Sequence, residues 1–299
     1  PFQNTLLLDF VYVAIMQAAR RIGAVGPSSI RMLSCSSARW ATEETKNFSR
    51  SFGFTEVSEE EKMGKVHHVF SNVAEKYDLM NDVMSIGVHR LWKDRFANLL
   101  RPSFRSVHLD VAGGTGDIAF RIMNKLVPGS DNQVIVCDIN ESMLRVGQQR
   151  ATEQGIQDDR LQWVQGNAEK LPMPDSSVDT YTIAFGIRNV TYIDKALEEA
   201  HRVLKPGGRF LCLEFSQVDN PILAEIYDFH SFKVIPILGE IFARDRDSYQ
   251  YLVESIRRFP SREQFCDMMR DAGFQQVSVD TVQCGIAAIH SGFKFADGK

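Results

Sequence analysis

Between residues 106 and 214, short apolar runs alternate with longer stretches whose apolar positions recur at helical spacing. The runs predict strands near 106–111, 133–138, 161–165, 178–184 and 209–214, and the stretches between them predict helices at about 117–126, 141–153 and 193–204. Strands alternating with helices imply a parallel sheet covered on both faces. The run Lys205-Pro206-Gly207-Gly208 predicts a stop and a turn into the fifth strand. Upstream, 58–77 opens on Ser58 with acids in its first turn. Met63, Val66, Val69, Phe70 and Val73 then follow at helical spacing. A second helix is expected at about 88–100. Downstream, 221–258 reads as a helical insertion and 261–272 as a helix starting from Ser261. Two final strands, about 275–282 and 285–292, are joined by Gln283-Cys284-Gly285. The implied organisation is a helical cap over 43–104 and an α/β domain over 105–299, interrupted by 221–258.

Composition narrows this picture. A hydrophobic content of 44% with 24% charged residues belongs to a folded globular chain. The formal charge of −4 gives no support to nucleic-acid binding. The cysteines at 35, 137, 212, 266 and 284 lie far apart, and neither they nor the histidines have metal-ligand spacing, so no metal site is expected. Residues 16–42 contain four arginines, five serines and no acid. That composition predicts a mitochondrial transit peptide within 1–42, with Met16 as its start and 1–15 upstream of it. The apolar stretch before it is too short to span a membrane and is broken by Asp9.

The candidate chemistry starts at Leu109-Asp110-Val111-Ala112-Gly113-Gly114-Thr115-Gly116-Asp117. Asp138 ends the next apolar run. Glycines let a backbone approach a ligand closely, and an acid at the end of the second strand can accept hydrogen bonds from ribose hydroxyls. An adenosine-bearing cofactor is therefore expected. Gly114, Thr115 and Gly116 also satisfy the loose dinucleotide fingerprint, which leaves a dehydrogenase open. Three features favour S-adenosyl-L-methionine. Asp110 lies inside the first strand, within reach of a methionyl amine. Asp117 opens the helix where a pyrophosphate would prefer a neutral group. Asn167 and Ala168, a polar residue and a small one after the third strand, resemble the adenine edge of a methyltransferase site.

Two further segments resemble a known family. Tyr77-Asp78-Leu79-Met80-Asn81-Asp82-Val83-Met84-Ser85, continuing through His89 to Trp92, is one, and 202–216, centred on Lys205-Pro206-Gly207-Gly208, is the other. Together with Phe185-Gly186-Ile187-Arg188-Asn189, they resemble the ubiquinone and menaquinone biosynthesis C-methyltransferases over about 58–293. Ala184 departs from the pattern, since bacterial relatives tend to carry serine there. The resemblance implies a class I S-adenosylmethionine-dependent methyltransferase fold. That fold is Rossmann-like, with a seven-stranded mostly parallel sheet, a C-terminal antiparallel strand and an N-terminal helical cap. It implies ring C-methylation of a polyprenylated methoxy-benzoquinol on the matrix side of the inner mitochondrial membrane. Peripheral membrane contact and other ubiquinone-biosynthesis proteins in a multisubunit complex are the implied partners. A cofactor-binding structural subunit, or a methyltransferase for another apolar acceptor, remains open.

Methylating a ring carbon requires a neighbouring hydroxyl to lose its proton, so a base or a cation facing the acceptor is expected. Arg188, after the fourth strand, can stabilise a phenolate but cannot itself act as a base. His89 has a suitable intrinsic pKa, or is structural. Tyr77 is a candidate for chemistry or for lid packing, and Glu214 for a base or an orienting group. Residues 229–242, rich in apolar side chains, are the candidate receiver of a long tail, or ordinary core.

Overall fold

Strands that are apolar on both faces need cover on both faces, and the fold supplies it. The computed structural model describes residues 48–49, 51–85, 87–156, 158–243 and 246–296. The expected transit peptide over 1–42 lies outside the described residues.

A small antiparallel hairpin, β1 (Ser51–Phe52) and β2 (Thr55–Glu56), precedes α1 (Glu59–Val73). The Ser58 hydroxyl accepts from the Glu61 amide and the Glu61 carboxylate accepts from the Ser58 amide. This reciprocal cap satisfies two amides that the first turn would leave unpaired. After a 3-10 turn at Ala74–Lys76 come α2 (Tyr77–Ser85) and α3 (Val88–Asn98). The chain then alternates through β3 (Val107–Val111), α4 (Asp117–Met123), β4 (Gln133–Asp138), α5 (Glu141–Glu153), β5 (Leu161–Gln165), β6 (Val178–Ala184), α6 (Ile193–Val203) and β7 (Leu204–Phe215). The insertion holds α7 (Pro221–Phe229), a π-helical stretch at His230–Val234, α8 (Ile235–Ala243) and α9 (Arg246–Arg258). Finally come α10 (Arg262–Asp271), β8 (Gln275–Val282) and β9 (Ala287–Phe293).

The seven-stranded sheet has the order β5-β4-β3-β6-β7-β9-β8. From β5 through β7 each pairing is parallel, whereas β9 is antiparallel to both β7 and β8. So β9 alone runs against the rest, as expected. Side chains alternate between two cores. Leu109, Ile135, Cys137, Phe210 and Cys212 face the layer that holds α6 and α10, while Val134, Val136, Leu211 and Leu213 face α4 and α5. The strand order turns back between β3 and β6, and ligands of open α/β sheets bind at the carboxyl ends of strands there.

Two expectations change. The helix expected over 58–77 ends at Val73, and a separate helix, α2, follows. The fifth strand starts at Leu204 instead of 209, because Lys205–Gly208 forms an irregularity within the strand, with Gly207 at φ +85° donating to the Lys294 carbonyl. The expected cap packs onto the α/β core. Trp92, Phe96 and Leu100 belong to the same buried cluster as Ile118 and Ile122 of α4, with Phe96 fully buried. Burying a phenylalanine contributes about 1.5–3 kcal/mol.

Candidate active site

The first cavity opens at the carboxyl ends of β3, β4 and β6. Asp110, Gly113, Gly114, Thr115, Asp117, Asp138, Asn167 and Ala168 all line it. Gly116 does not line it, and shapes the turn instead, at φ +82°. Backbone makes much of this wall. Gly114 sits at φ +52° and donates to Asp138 Oδ2 at 2.9 Å. A Cβ on Gly113 would lie 2.9 Å from Asp110 Oδ2 and 2.7 Å from Val136, so the turn hugs the strands only as glycine. Ala112 and Phe185, at the ends of β3 and β6, are held at φ +50° and +57°. Strain of this kind concentrates at functional sites.

The acids differ in their partners. Asp138 Oδ1 accepts from the Asn140 amide at 2.8 Å, so both its oxygens already face backbone donors, and burial pushes it above the ordinary carboxylate range. Each oxygen keeps a second lone pair for a ligand hydroxyl. Asp110 is fully buried, its Oδ1 accepts from Thr182 Oγ1 at 2.8 Å, and Oδ2 has no partner. Burial without that partner pushes Asp110 up to about 7. Asp117 is the opposite case. Lys93 Nζ at 2.6 Å and Arg121 hold it below the usual carboxylate range against the cost of burial. Thr115 accepts from Arg150 through its carbonyl and hydroxyl, and Arg150 also pairs with Asp78 of α2 at 2.6 Å. The cap is thus tied to the glycine turn through Lys93 and Asp78.

A second cavity lies between the cap, the insertion and the Gln283–Ile286 turn. Its wall is largely apolar and aromatic, and includes Val69, Trp92, Tyr227, Tyr251 and Ile256. Arg188 lines it and is buried. Its Nη1 donates to Glu214 Oε1 at 2.8 Å and to the Phe185 carbonyl, and its guanidinium lies 5.4 Å from the Phe215 ring centroid. Its Nε has no partner. Glu214 is fully buried and does not line the cavity. The Phe215 amide donates to it at 2.8 Å. Burial pushes Glu214 up and Arg188 pulls it back. Of the two roles open to Glu214, this geometry suits the orienting group.

His89 is buried and lines the same cavity. Ser85 Oγ lies 2.6 Å from the Asn81 carbonyl, which can only accept, so the single Ser85 proton points there. His89 Nδ1, 2.7 Å from Ser85 Oγ, is then the donor of that pair. Nε2 is left unprotonated, 3.8 Å from Asp82 Oδ1. Burial and the nearby Lys93 push His89 down to about 4, which keeps it neutral.

The two cavities share Phe70, Tyr77, Lys93 and Phe185. Tyr77 therefore sits at their junction, with its ring 6.2 Å from that of Phe70. Lys93 is not among the residues expected from sequence, although it falls one turn after His89 on the same helical face. Nor are Tyr251, whose hydroxyl donates to Asn189 Oδ1 at 3.0 Å, and Gln283, whose Oε1 accepts from the Trp92 indole at 2.9 Å. The latter two come from segments distant in sequence and carry no local signal. Of residues 229–242, His230 and Ile235 line the second cavity, whereas Phe229 and Ile237 are exposed.

The first cavity fits S-adenosyl-L-methionine. A buried carboxylate oxygen without a partner is costly unless a donor meets it, and the ammonium of the methionyl group is such a donor for Asp110 Oδ2. Asp138 suits the ribose, and Asn167-Ala168 the adenine edge.

The chain is similar to known proteins. A solved SAM-dependent methyltransferase from Thermotoga maritima superposes with a TM-score of 0.54 at 20% identity, covering 77% of this chain and 99% of its own, which shows the fold. The human mitochondrial 2-methoxy-6-polyprenyl-1,4-benzoquinol methylase is 54% identical over 289 residues, 86% of this chain and 88% of the human one. The Arabidopsis thaliana protein of the same name is 57% identical over 258 residues, 82% of this chain and 90% of its own. The Oryza sativa one is 51% identical over 296 residues, 94% of this chain and 100% of its own. With residues 55–294 matched by the model of the ubiE/COQ5 methyltransferase family, and the glycine turn, its two acids and Arg188 gathered around two joined cavities, the chain belongs to that family.

Proposed function

We propose that this chain methylates a ring carbon of a polyprenylated methoxy-benzoquinol in ubiquinone synthesis. The observation that carries the reading is the junction, where a cavity built for an adenosyl cofactor meets an apolar cavity walled by Arg188. Relatives named as mitochondrial benzoquinol methylases support the substrate and a mitochondrial address.

When bound, S-adenosyl-L-methionine supplies an electrophilic methyl group. The chain's own residues do the rest. The aromatic and apolar wall excludes water and accepts a planar ring. Arg188, with Nε unpaired, receives a ring oxygen as it loses its proton, and Glu214 behind it fixes the guanidinium and balances its charge. The proton moves to His89 Nε2, with Asp82 3.8 Å beyond as the route to solvent. Once the ring carbon carries the methyl group it gives up its own hydrogen as a proton, and the oxygen at Arg188 takes a proton back, which restores the aromatic quinol. A histidine pushed down to about 4 takes a proton only from a hydroxyl that Arg188 has acidified. Tyr77 helps to shape the junction at which ring and donor meet.

The tail lies along the insertion. No helix among the described residues is long and apolar enough to cross a membrane. The exposed Ile222, Phe229 and Ile237 support peripheral contact with the matrix face of the inner membrane. Assembly with other ubiquinone-synthesis proteins is part of the same reading.

The test incubates the chain with methyl-labelled S-adenosylmethionine and a short-tailed methoxy-benzoquinol. Label on a ring carbon is expected. Label on oxygen alone, or none with the cofactor bound, would overturn the reading.

A further inference from the structure

The amino-acid end of S-adenosylmethionine carries two charges, and Asp110 answers only one of them. The carboxylate also needs a donor. The first cavity is rich in acids, with Asp110, Asp117, Asp138 and Glu169 in its wall. Against them stands one fixed cation. Lys93 is the only lysine or arginine among the described residues lining that cavity. It is buried, and its ammonium sits 2.6 Å from Asp117 Oδ2.

An ammonium has three donors. The bond to Asp117 uses one, and it fixes the long side chain in place. Asp117 is itself shared with Arg121, which pairs onward with Asp94 at 2.7 Å. The carboxylate of Asp117 is therefore not spent on Lys93 alone, and Lys93 keeps charge and donors for a second acceptor. Lys93 lines both cavities, at the junction where the methionyl group must lie for its methyl to reach the ring.

We propose that Lys93 binds the carboxylate of the cofactor's amino-acid end, opposite the ammonium site at Asp110. The pair then reads a zwitterion, one charge at each side. It distinguishes an adenosyl amino acid from an adenosyl group that lacks the carboxylate. This rests on the cofactor reading above and assigns its recognition to a residue of the cap. Because α3 carries Lys93, cofactor binding and docking of the cap reinforce each other, as linked equilibria must.

Calorimetry with two ligands separates this from a purely structural lysine. S-adenosylhomocysteine keeps the carboxylate, and its decarboxylated analogue does not. Lys93→Met should weaken S-adenosylhomocysteine binding roughly tenfold to 150-fold, the loss typical of a hydrogen bond to a charged group. The decarboxylated analogue should bind wild type and variant alike. If the Met variant melts early, Lys93→Gln keeps a donor toward Asp117 without the charge and should give the same ligand-dependent loss. Equal losses for both ligands, or no loss for either, would overturn the assignment. A wild type that bound neither ligand would instead overturn the cofactor reading beneath it.

Discussion

The two cavities meet at four residues but are built in different ways. The cofactor cavity is made by consecutive stretches of chain at strand ends, with glycines bringing backbone to the surface and acids supplying charge. The acceptor cavity is made by side chains from the cap, the insertion and the 283–286 turn, which meet only in the folded protein. Each has a buried polar atom left unpaired, Asp110 Oδ2 in the first and Arg188 Nε in the second. One is an acceptor awaiting a cation and the other a donor awaiting an anion. A ligand ammonium would complete the first and a ligand oxygen the second.

The contrast can be broken most severely behind the acceptor cavity. Glu214→Ala leaves the Arg188 guanidinium buried without its counter-ion. Removing one partner of a buried pair costs about 3–5 kcal/mol. Denaturant unfolding should show a loss of that size, and turnover should fall as Arg188 loses its anchor. A loss under about 1 kcal/mol would mean that Arg188 finds another partner.

The next effect belongs to the cofactor side. Asp138→Ala should weaken S-adenosylhomocysteine binding roughly tenfold to 150-fold by calorimetry, through the ribose and through the Gly114 and Asn140 amides it holds. Turnover at saturating cofactor should change much less. An unchanged affinity in a folded variant would remove Asp138 from the site.

The smallest effect is the sharpest reading of charge. In the free protein Asp110 has been pushed up to about 7, while in the unfolded chain it titrates near 3.9. Its burial therefore costs stability as pH rises from about 4 to 7, because the folded state holds the proton longer. Binding a ligand ammonium favours the carboxylate and releases that proton. Cofactor affinity should rise from about pH 5.5 to 7, by up to about tenfold per unit, and level off above. Asp110→Asn should flatten the slope. A slope that persists in that variant would trace it to another group.

The same contrast explains what could be read from sequence. The strands and the cofactor acids were legible because each signal is local. Asp110, Gly114 and Asp138 fall at fixed offsets around one strand-turn-helix-strand unit, and α5 over 141–153 and β6 over 178–184 match their expected bounds. Helix α2 is not among the expected elements, although Leu79, Met80, Val83 and Met84 have helical spacing. The pairing of Arg188 with Glu214 depends on the register of β6 beside β7, which no motif encodes. Lys93 was overlooked because its function depends on where α3 docks. The tyrosines of the insertion, Tyr227 and Tyr251, had no pattern pointing to a cavity at all.

The division of labour between the two cavities rests most directly on Arg188, and one variant measured twice tests it. In Arg188→Ala, turnover of a methoxy-benzoquinol should fall on the order of 100- to 1,000-fold, the usual effect of losing one preorganised charge donor. The affinity for S-adenosylhomocysteine should stay within about threefold of wild type, a difference well under 1.4 kcal/mol. Loss of cofactor binding in a variant of unchanged thermal stability would contradict the account, because it would place Arg188 in the cofactor cavity.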